Sequence, residues 1–259
     1  MQLLVAYESD PAGYNMASYI AEGLKSRGDG LYTGKKFDLV IIKSPAISAD
    51  WLEDRYRYEG YVFLSKHAAE SGKLALTCHS TGNFSEALFG GYAKQVAIPH
   101  PHLQKSYMRH LWDRRDDFSK FEITIEATHH GPTALGKPVL FIEVGTTQSE
   151  WNDKDLCRSV ADIVVGELGG SEERHQVAIC FGGTHYPTKF NRELIEGEFA
   201  LGTVVPRHAL GEVDEVLFAH ILERNKGATH ALVDWRGLAR SKQKMVDLIG
   251  NAGLELVKV

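Results

Sequence analysis

The 259-residue chain is poor in cysteine, with only Cys78, Cys157 and Cys180. Three scattered thiols exclude a disulfide framework and a cysteine-based zinc site. Cys78 and Cys180 lie in apolar strand patterns, where a reduced thiol packs as a small hydrophobe. That usage predicts a reducing, cytoplasmic setting. Long apolar runs are also missing. None approaches the roughly 18 residues of a membrane span, so no membrane association is expected. The opening residues Met1-Gln2-Leu3-Leu4-Val5-Ala6-Tyr7 carry no basic segment and read as a strand, not a signal peptide.

Several catalytic signatures are absent as well. The chain has no His-Glu-x-x-His, no Cys-x-x-Cys, no Gly-x-Ser-x-Gly elbow, no Gly-x-Gly-x-x-Gly and no P-loop. Standard zinc-protease, serine-hydrolase, dinucleotide-binding and nucleotide-hydrolysing readings therefore lack support. The net charge of −5 argues against a protein that coats nucleic acid nonspecifically, but leaves room for a local basic patch.

What the chain does contain is an alternation of short apolar runs and amphipathic stretches. Strands are predicted at 3–7, 38–43, 61–64, 74–78, 121–128, 139–144, 177–181, 231–233 and 254–257. Helices are predicted from the Ser9-Asp10-Pro11 cap to about residue 25, and over 66–71, 104–115, 213–224 and 241–250. A further helix carries Trp151, Leu156, Val160, Ile163, Val164 and Leu168 on one face. Residues 28–34 and 99–101 read as surface loops. In 121–128, Phe121, Ile123 and Ile125 alternate with Glu122, Thr124 and Glu126, the pattern of a half-buried strand. The whole describes an α/β fold around a largely parallel, buried sheet. No linker or repeat divides it, so one domain over 1–259 is expected.

The chain is rich in histidine, with 12 residues, and several follow predicted strands. His79 follows 74–78, His129-His130-Gly131-Pro132-Thr133 follows 121–128, and His185 follows 177–181 by way of Gly182-Gly183. Glu143 sits inside an apolar run, where an ionised carboxylate needs a partner: a metal, a histidine or an arginine. Ligands in open α/β sheets bind at the carboxyl ends of strands. His129, His130, Glu143 and His185 are accordingly the candidates for both catalysis and metal ligation, since imidazole serves either role near neutral pH. His79, Gly131, Thr133, Gly182 and Gly183 are candidate substrate contacts. Backbone N–H groups at Gly131 or Gly182-Gly183 are candidate oxyanion donors. A continued strand would point His129 and His130 to opposite faces; a turn before Gly131-Pro132 would let both enter one site.

Basic residues cluster twice. Lys105, Arg109, Arg114 and Arg115 share a predicted helix, and Arg236, Arg240, Lys242 and Lys244 lie near the C-terminus. Each set reads either as a solvated face or as an RNA-backbone contact, and Arg236, Arg240 and Lys242 are the candidate substrate contacts.

Taken in order, these motifs resemble a known family. His129-His130-Gly131-Pro132-Thr133, Pro138-Val139-Leu140-Phe141-Ile142-Glu143-Val144-Gly145, Trp151, Gly182-Gly183-Thr184-His185-Tyr186 and Leu76-Thr77-Cys78-His79-Ser80-Thr81-Gly82-Asn83 are similar to the archaeal and plant type of D-aminoacyl-tRNA deacylase. Thr184 departs from the pattern, because the family has a further glycine there. The resemblance implies a hydrolase that cleaves the ester between a D-amino acid and the terminal ribose of tRNA. It implies dependence on Zn2+ and a cytoplasmic monomer with no obligate protein partner. It also implies a three-layer phosphorylase/hydrolase-like fold with a mostly parallel mixed sheet, akin to peptidyl-tRNA hydrolase. Two other readings of the same residues stay open: a zinc amidohydrolase or peptidase acting on a small molecule, and a noncatalytic tRNA-binding module.

Overall fold

The computed structural model describes residues 1–168 and 173–259. In chain order its elements are β1 (Gln2–Tyr7), α1 (Pro11–Ala21), β2 (Lys25–Gly28), β3 (Leu31–Thr33), β4 (Phe37–Ile42), α2 (Leu52–Arg55), β5 (Gly60–Lys66), β6 (Ala75–His79), β7 (Gly82–Asn83) and β8 (Gln95–Val96). They continue with α3 (Pro101–Asp113), β9 (Glu122–Ile125), β10 (Val139–Gly145), α4 (Gln148–Trp151), α5 (Lys154–Glu167), β11 (Gln176–Gly183), α6 (Thr188–Glu196), β12 (Phe199–Pro206), α7 (Glu215–Arg224), β13 (Ala228–Val233), α8 (Lys242–Asn251) and β14 (Glu255–Lys258).

The fold is α/β, built on a large, mostly parallel mixed sheet in the order β2-β3-β4-β1-β5-β10-β6-β9. Strands β4, β1, β5 and β10 run parallel. β6 and β9 are parallel to each other and antiparallel to β10. A second, wholly parallel sheet has the order β12-β11-β13-β14. One apolar cluster joins the two, because it holds Leu76, Ile123 and Ile142 of the large sheet with Cys180, Leu201 and Leu232 of the small one. The opposite face of the large sheet buries a separate cluster that includes Leu3, Val5, Phe63 and Phe141.

Several expectations are corrected. The helix expected to reach residue 25 ends at Ala21, and residues 28–34 form a β-hairpin turn rather than a loop. Left-handed backbone at Gly28, Asp29 and Gly30 reverses the chain there. No helix forms over 66–71, since the His67 amide donates to the Val144 carbonyl at 2.9 Å and continues the β5–β10 ladder. Pro101 opens α3, where its missing N–H costs nothing, and His100 before it is buried. The stretch expected to be a half-buried strand over 121–128 is a strand only over β9, and its polar side turns inward. Glu122 is partly exposed, but Thr124, and Glu126 and Thr128 beyond the strand, are each only 2% exposed, because the second sheet covers them. Lys105 is fully buried rather than solvated, and its ammonium donates to the carbonyls of Leu194, Gly197 and Phe199 at 2.7–3.0 Å. Strand β12 and helix α6 have no counterpart in the pattern reading.

Candidate active site

The two sheets meet where the chain leaves β9. The Ala127 amide donates to the His185 carbonyl at 2.8 Å, and the Thr128 amide to the Val204 carbonyl at 3.0 Å. Residues 126–131 are thereby stretched between the sheets. His130 then takes a left-handed backbone, φ +44°, a conformation that histidine tolerates better than most residues. That turn brings both members of the His129-His130 pair to one side. Their rings lie 4.1 and 4.8 Å from the ring of His79, centroid to centroid, and 4.4 Å from each other. His185 arrives from the second sheet, 4.9 Å from the His129 ring.

Three imidazoles are oriented by the backbone. His79 Nδ1 donates to the Ser80 carbonyl at 3.1 Å, His129 Nδ1 to Ala127 at 2.8 Å and His130 Nδ1 to Gly131 at 2.7 Å. Each bond fixes a ring and leaves its Nε2 for a ligand. His79 Nε2 is buried without a hydrogen bond.

Two carboxylates complete the cluster. Glu143 is the fifth residue of β10, paired with Thr77 of β6 and Ser65 of β5. Because β6 runs against β10, the site lies across the sheet face and not at one row of strand ends. Glu126 follows β9. Its Oε2 accepts from His185 Nε2 at 2.8 Å and lies 3.7 Å from His129 Nε2. Its Oε1 is buried and faces His67. His67, just past β5, bridges the pair: its Nδ1 lies 3.0 Å from Glu126 Oε1 and 3.3 Å from Glu143 Oε2. The Tyr186 hydroxyl meets His67 Nε2 at 3.1 Å.

Charge is distributed unevenly among these groups. Burial opposes a charge on His67, but the carboxylates of Glu126 and Glu143 more than offset it and raise its pKa to about 9. His79 is raised for the same reasons, with Glu143 as its carboxylate. Burial and the neighbouring His79 hold His129 well below the ordinary histidine range and push His130 down to about 4. Glu126 and Glu143 are held below the usual carboxylate range despite burial, by His185 and His67 for Glu126 and by His67 and His79 for Glu143.

Three groups of donors could each hold a cation, with one ligand atom per residue and all atoms of a group within 4.8 Å: His79, His129 and His130; Glu126, His129 and His185; and His67, Glu126 and Glu143. The nitrogen and oxygen donors suit zinc. His79 Nε2, buried without a hydrogen bond and 3.6 Å from Glu143 Oε1, is the atom of the cluster that a cation would satisfy.

His129, His130, Glu143, His185 and His79 are thus brought together. Glu126, His67 and Tyr186 join them without having been singled out from the sequence. Glu126 stands three residues before His129, and His67 directly follows a buried strand, as His79 and His185 follow theirs; those positions were the available signals.

Other candidates sit elsewhere. Thr133 is fully buried, with Oγ1 bonded to the Tyr92 amide and to Gln95. The Gly131 amide donates to the Phe89 carbonyl, so it is not a free oxyanion donor. Gly182 and Gly183 are buried against protein: a Cβ at Gly182 would meet the Asp234 carbonyl at 2.9 Å, and one at Gly183 would meet Pro187 at 2.6 Å. Arg236 and Arg240 are exposed after β13, and Lys242 lies over the Trp235 ring at 4.6 Å.

His129 and His130 open into a pocket of about 430 Å3, walled also by Ile47, Phe84, Leu88, Phe89, His208 and Glu212. A larger groove of about 840 Å3, lined by Arg27, Arg55, Arg57 and Lys137, contains none of the clustered histidines.

The fold is that of an α/β protein with histidine and carboxylate groups clustered where its two sheets meet. The chain belongs to the D-aminoacyl-tRNA deacylase family, whose model matches residues 54–257. It is 57% identical to a D-aminoacyl-tRNA deacylase of Cenarchaeum symbiosum, over 99% of each chain. It is 35% identical to one of Desulfurococcus amylolyticus, over 86% of each. The crystal structure of a conserved protein of unknown function superposes with a TM-score of 0.93 at 28% identity, covering 100% of this chain and 95% of that one. No described helix is long and apolar enough to cross a membrane.

Proposed function

We propose that the protein hydrolyses the ester of D-aminoacyl-tRNA at the His/Glu cluster, releasing the free D-amino acid and tRNA. The observation that carries this reading is the convergence of His79, His129, His130 and the Glu126–His185 pair beside an open pocket, in a chain of this family.

An aminoacyl ester is reactive, so catalysis needs a placed water, a base and a polarised carbonyl. Zinc is the proposed cofactor, held by His79, His129 and His130 with Glu126 and Glu143 neutralising its charge; when bound it lowers the pKa of water and acts as a Lewis acid. His185 is the proposed base. Its Nε2–H donates to Glu126, which fixes the tautomer and leaves Nδ1 to accept a proton from water. His67 lies between the two carboxylates and offsets their mutual repulsion. Discrimination against L-substrates follows if the pocket wall clashes with the opposite hand. The buried free thiols Cys78, Cys157 and Cys180 support action in a reducing cytoplasm.

The test is release of D-tyrosine from D-tyrosyl-tRNA by purified protein, with and without added zinc and with L-tyrosyl-tRNA as control. Selective release of the D-amino acid supports the proposal. No release from either substrate sinks it, and cleavage of small amides instead would favour an amidohydrolase.

A further inference from the structure

We infer that the exposed apolar loop carrying Leu88 and Phe89 is a stacking platform for the base of the substrate's 3′-terminal nucleotide. The inference rests on the deacylase reading of the site.

Leu88 and Phe89 are 75% and 67% exposed, and Tyr92 on the same loop is 58% exposed. Three large apolar groups in five residues stay exposed among the described residues, the mark of an interaction surface. The loop is nevertheless held rigidly. The Phe89 carbonyl accepts from the Gly131 amide at 3.0 Å. Asn83 Nδ2 donates to the Gly90 and Tyr92 carbonyls at 2.8 and 3.2 Å, and the Tyr92 amide donates to Thr133 Oγ1 at 2.9 Å. Glycines make this contact possible: a Cβ on Gly131 would meet the Gly91 nitrogen at 2.3 Å, and one on Gly90 would meet the Ile47 carbonyl at 2.0 Å. The histidine loop and the apolar loop are therefore one backbone-bonded unit. A preformed aromatic surface loses little entropy on binding.

The occupant follows from the bond that is cleaved. The ester joins the amino acid to the terminal ribose, so the base lies one sugar away from the reacting carbonyl. Leu88 and Phe89 share their pocket with His129 and His130. Glu86 and Glu212 also line it, and their carboxylates disfavour a phosphodiester. A neutral base stacked on Phe89 suits both features, since aromatic stacking accepts any base face. The phosphate chain then leaves away from the two carboxylates.

A non-hydrolysable probe, 3′-deoxy-3′-(D-alanylamino)adenosine, tests this without requiring turnover. Phe89→Trp should report its binding as saturable quenching of indole emission. By calorimetry, Phe89→Ala should weaken the probe by roughly 5- to 150-fold, the usual worth of one stacked base, and Phe89→Tyr should restore most of the affinity. On D-aminoacyl-tRNA the same Ala variant should raise KM more than it lowers kcat. Equal probe affinity in wild type and Phe89→Ala overturns the platform. So does quenching of Phe89→Trp by N-acetyl-D-phenylalaninamide without quenching by the adenosine probe, which would assign the patch to the amino-acid side chain. Wild-type protein that fails to cleave D-aminoacyl-tRNA would instead refute the deacylase reading, so the two failures are distinguishable.

Discussion

Glu126 Oε2 lies 2.8 Å from His185 Nε2, and the bond joins residues that follow strands of two different sheets. Glu126 also faces His67 and His129, so it is the group on which most of the cluster depends. Glu126→Gln keeps the shape but removes the charge and leaves one acceptor oxygen where His185 and His67 each face one. The deacylation rate in single-turnover assays should fall by about 10²- to 10⁴-fold, the usual worth of general acid–base catalysis. A loss of less than tenfold would remove Glu126 from the proposed machinery.

Metal content separates a ligand role from a structural one. Purified wild-type protein should carry zinc measurable by atomic emission. His79→Ala, which removes an Nε2 that is buried 3.6 Å from Glu143 Oε1, should lose most of that zinc together with activity. Chelation of the wild type should abolish deacylation, and zinc should restore it. Full activity in protein shown to be metal-free would leave the histidines to act as proton carriers alone.

Gly131 is a packing requirement. The Cβ of Gly131→Ala would sit 2.3–2.5 Å from backbone atoms of Gly91, Ile47 and Gly90, none of which can swing aside. Overpacking of this kind costs about 1–3 kcal/mol. Urea unfolding should show that loss, and activity should fall with it because His130 shares the strained segment. An unchanged midpoint would mean that the loop relaxes freely.

Stability should depend on pH through His67. Its folded pKa of about 9 exceeds the unfolded value of about 6.5, so the folded state binds the extra proton between them. The stabilisation is complete below the unfolded value and is lost as pH rises through the folded one. In chelated protein, the stability gap between wild type and His67→Gln should therefore narrow from about pH 6 to about pH 10. A gap constant across that interval would contradict a charged His67.

Arg236, Arg240 and Lys242 are the candidate contacts to the tRNA backbone. If they contact phosphates, each neutralising substitution should reduce the slope of log(kcat/KM) against log salt by roughly 0.7–0.9. Slopes identical to wild type would move the RNA path elsewhere.

Much of this was legible in the chain. The buried strands announced themselves as apolar runs, and the capping of α1 by Asp10, whose carboxylate accepts from the Gly13 amide at 2.9 Å, matches the Ser9-Asp10-Pro11 signal. His79, His129, His130, Glu143 and His185 stood out because each is a polar group in or just beyond an apolar strand. Glu126 was hidden for a physical reason: strand alternation shows which residues share a face, but not what covers the second face. With β11 and β12 packed beside it, the polar face of β9 became interior. His67 was hidden because a few polar residues after a strand resemble a helix start until a ladder hydrogen bond holds them extended.

The sequence alone determined the α/β character, the strand ends at which the histidines stand and the family to which the chain belongs. These follow from local periodicity and from residue types in order. Only the tertiary structure decided that both members of the His129-His130 pair enter one site, that Glu126 and His67 join them, and that the loop of Phe89 lies against Gly131. Those facts depend on where two sheets meet and on a single left-handed turn at His130, contacts between residues far apart in the chain that no local pattern encodes.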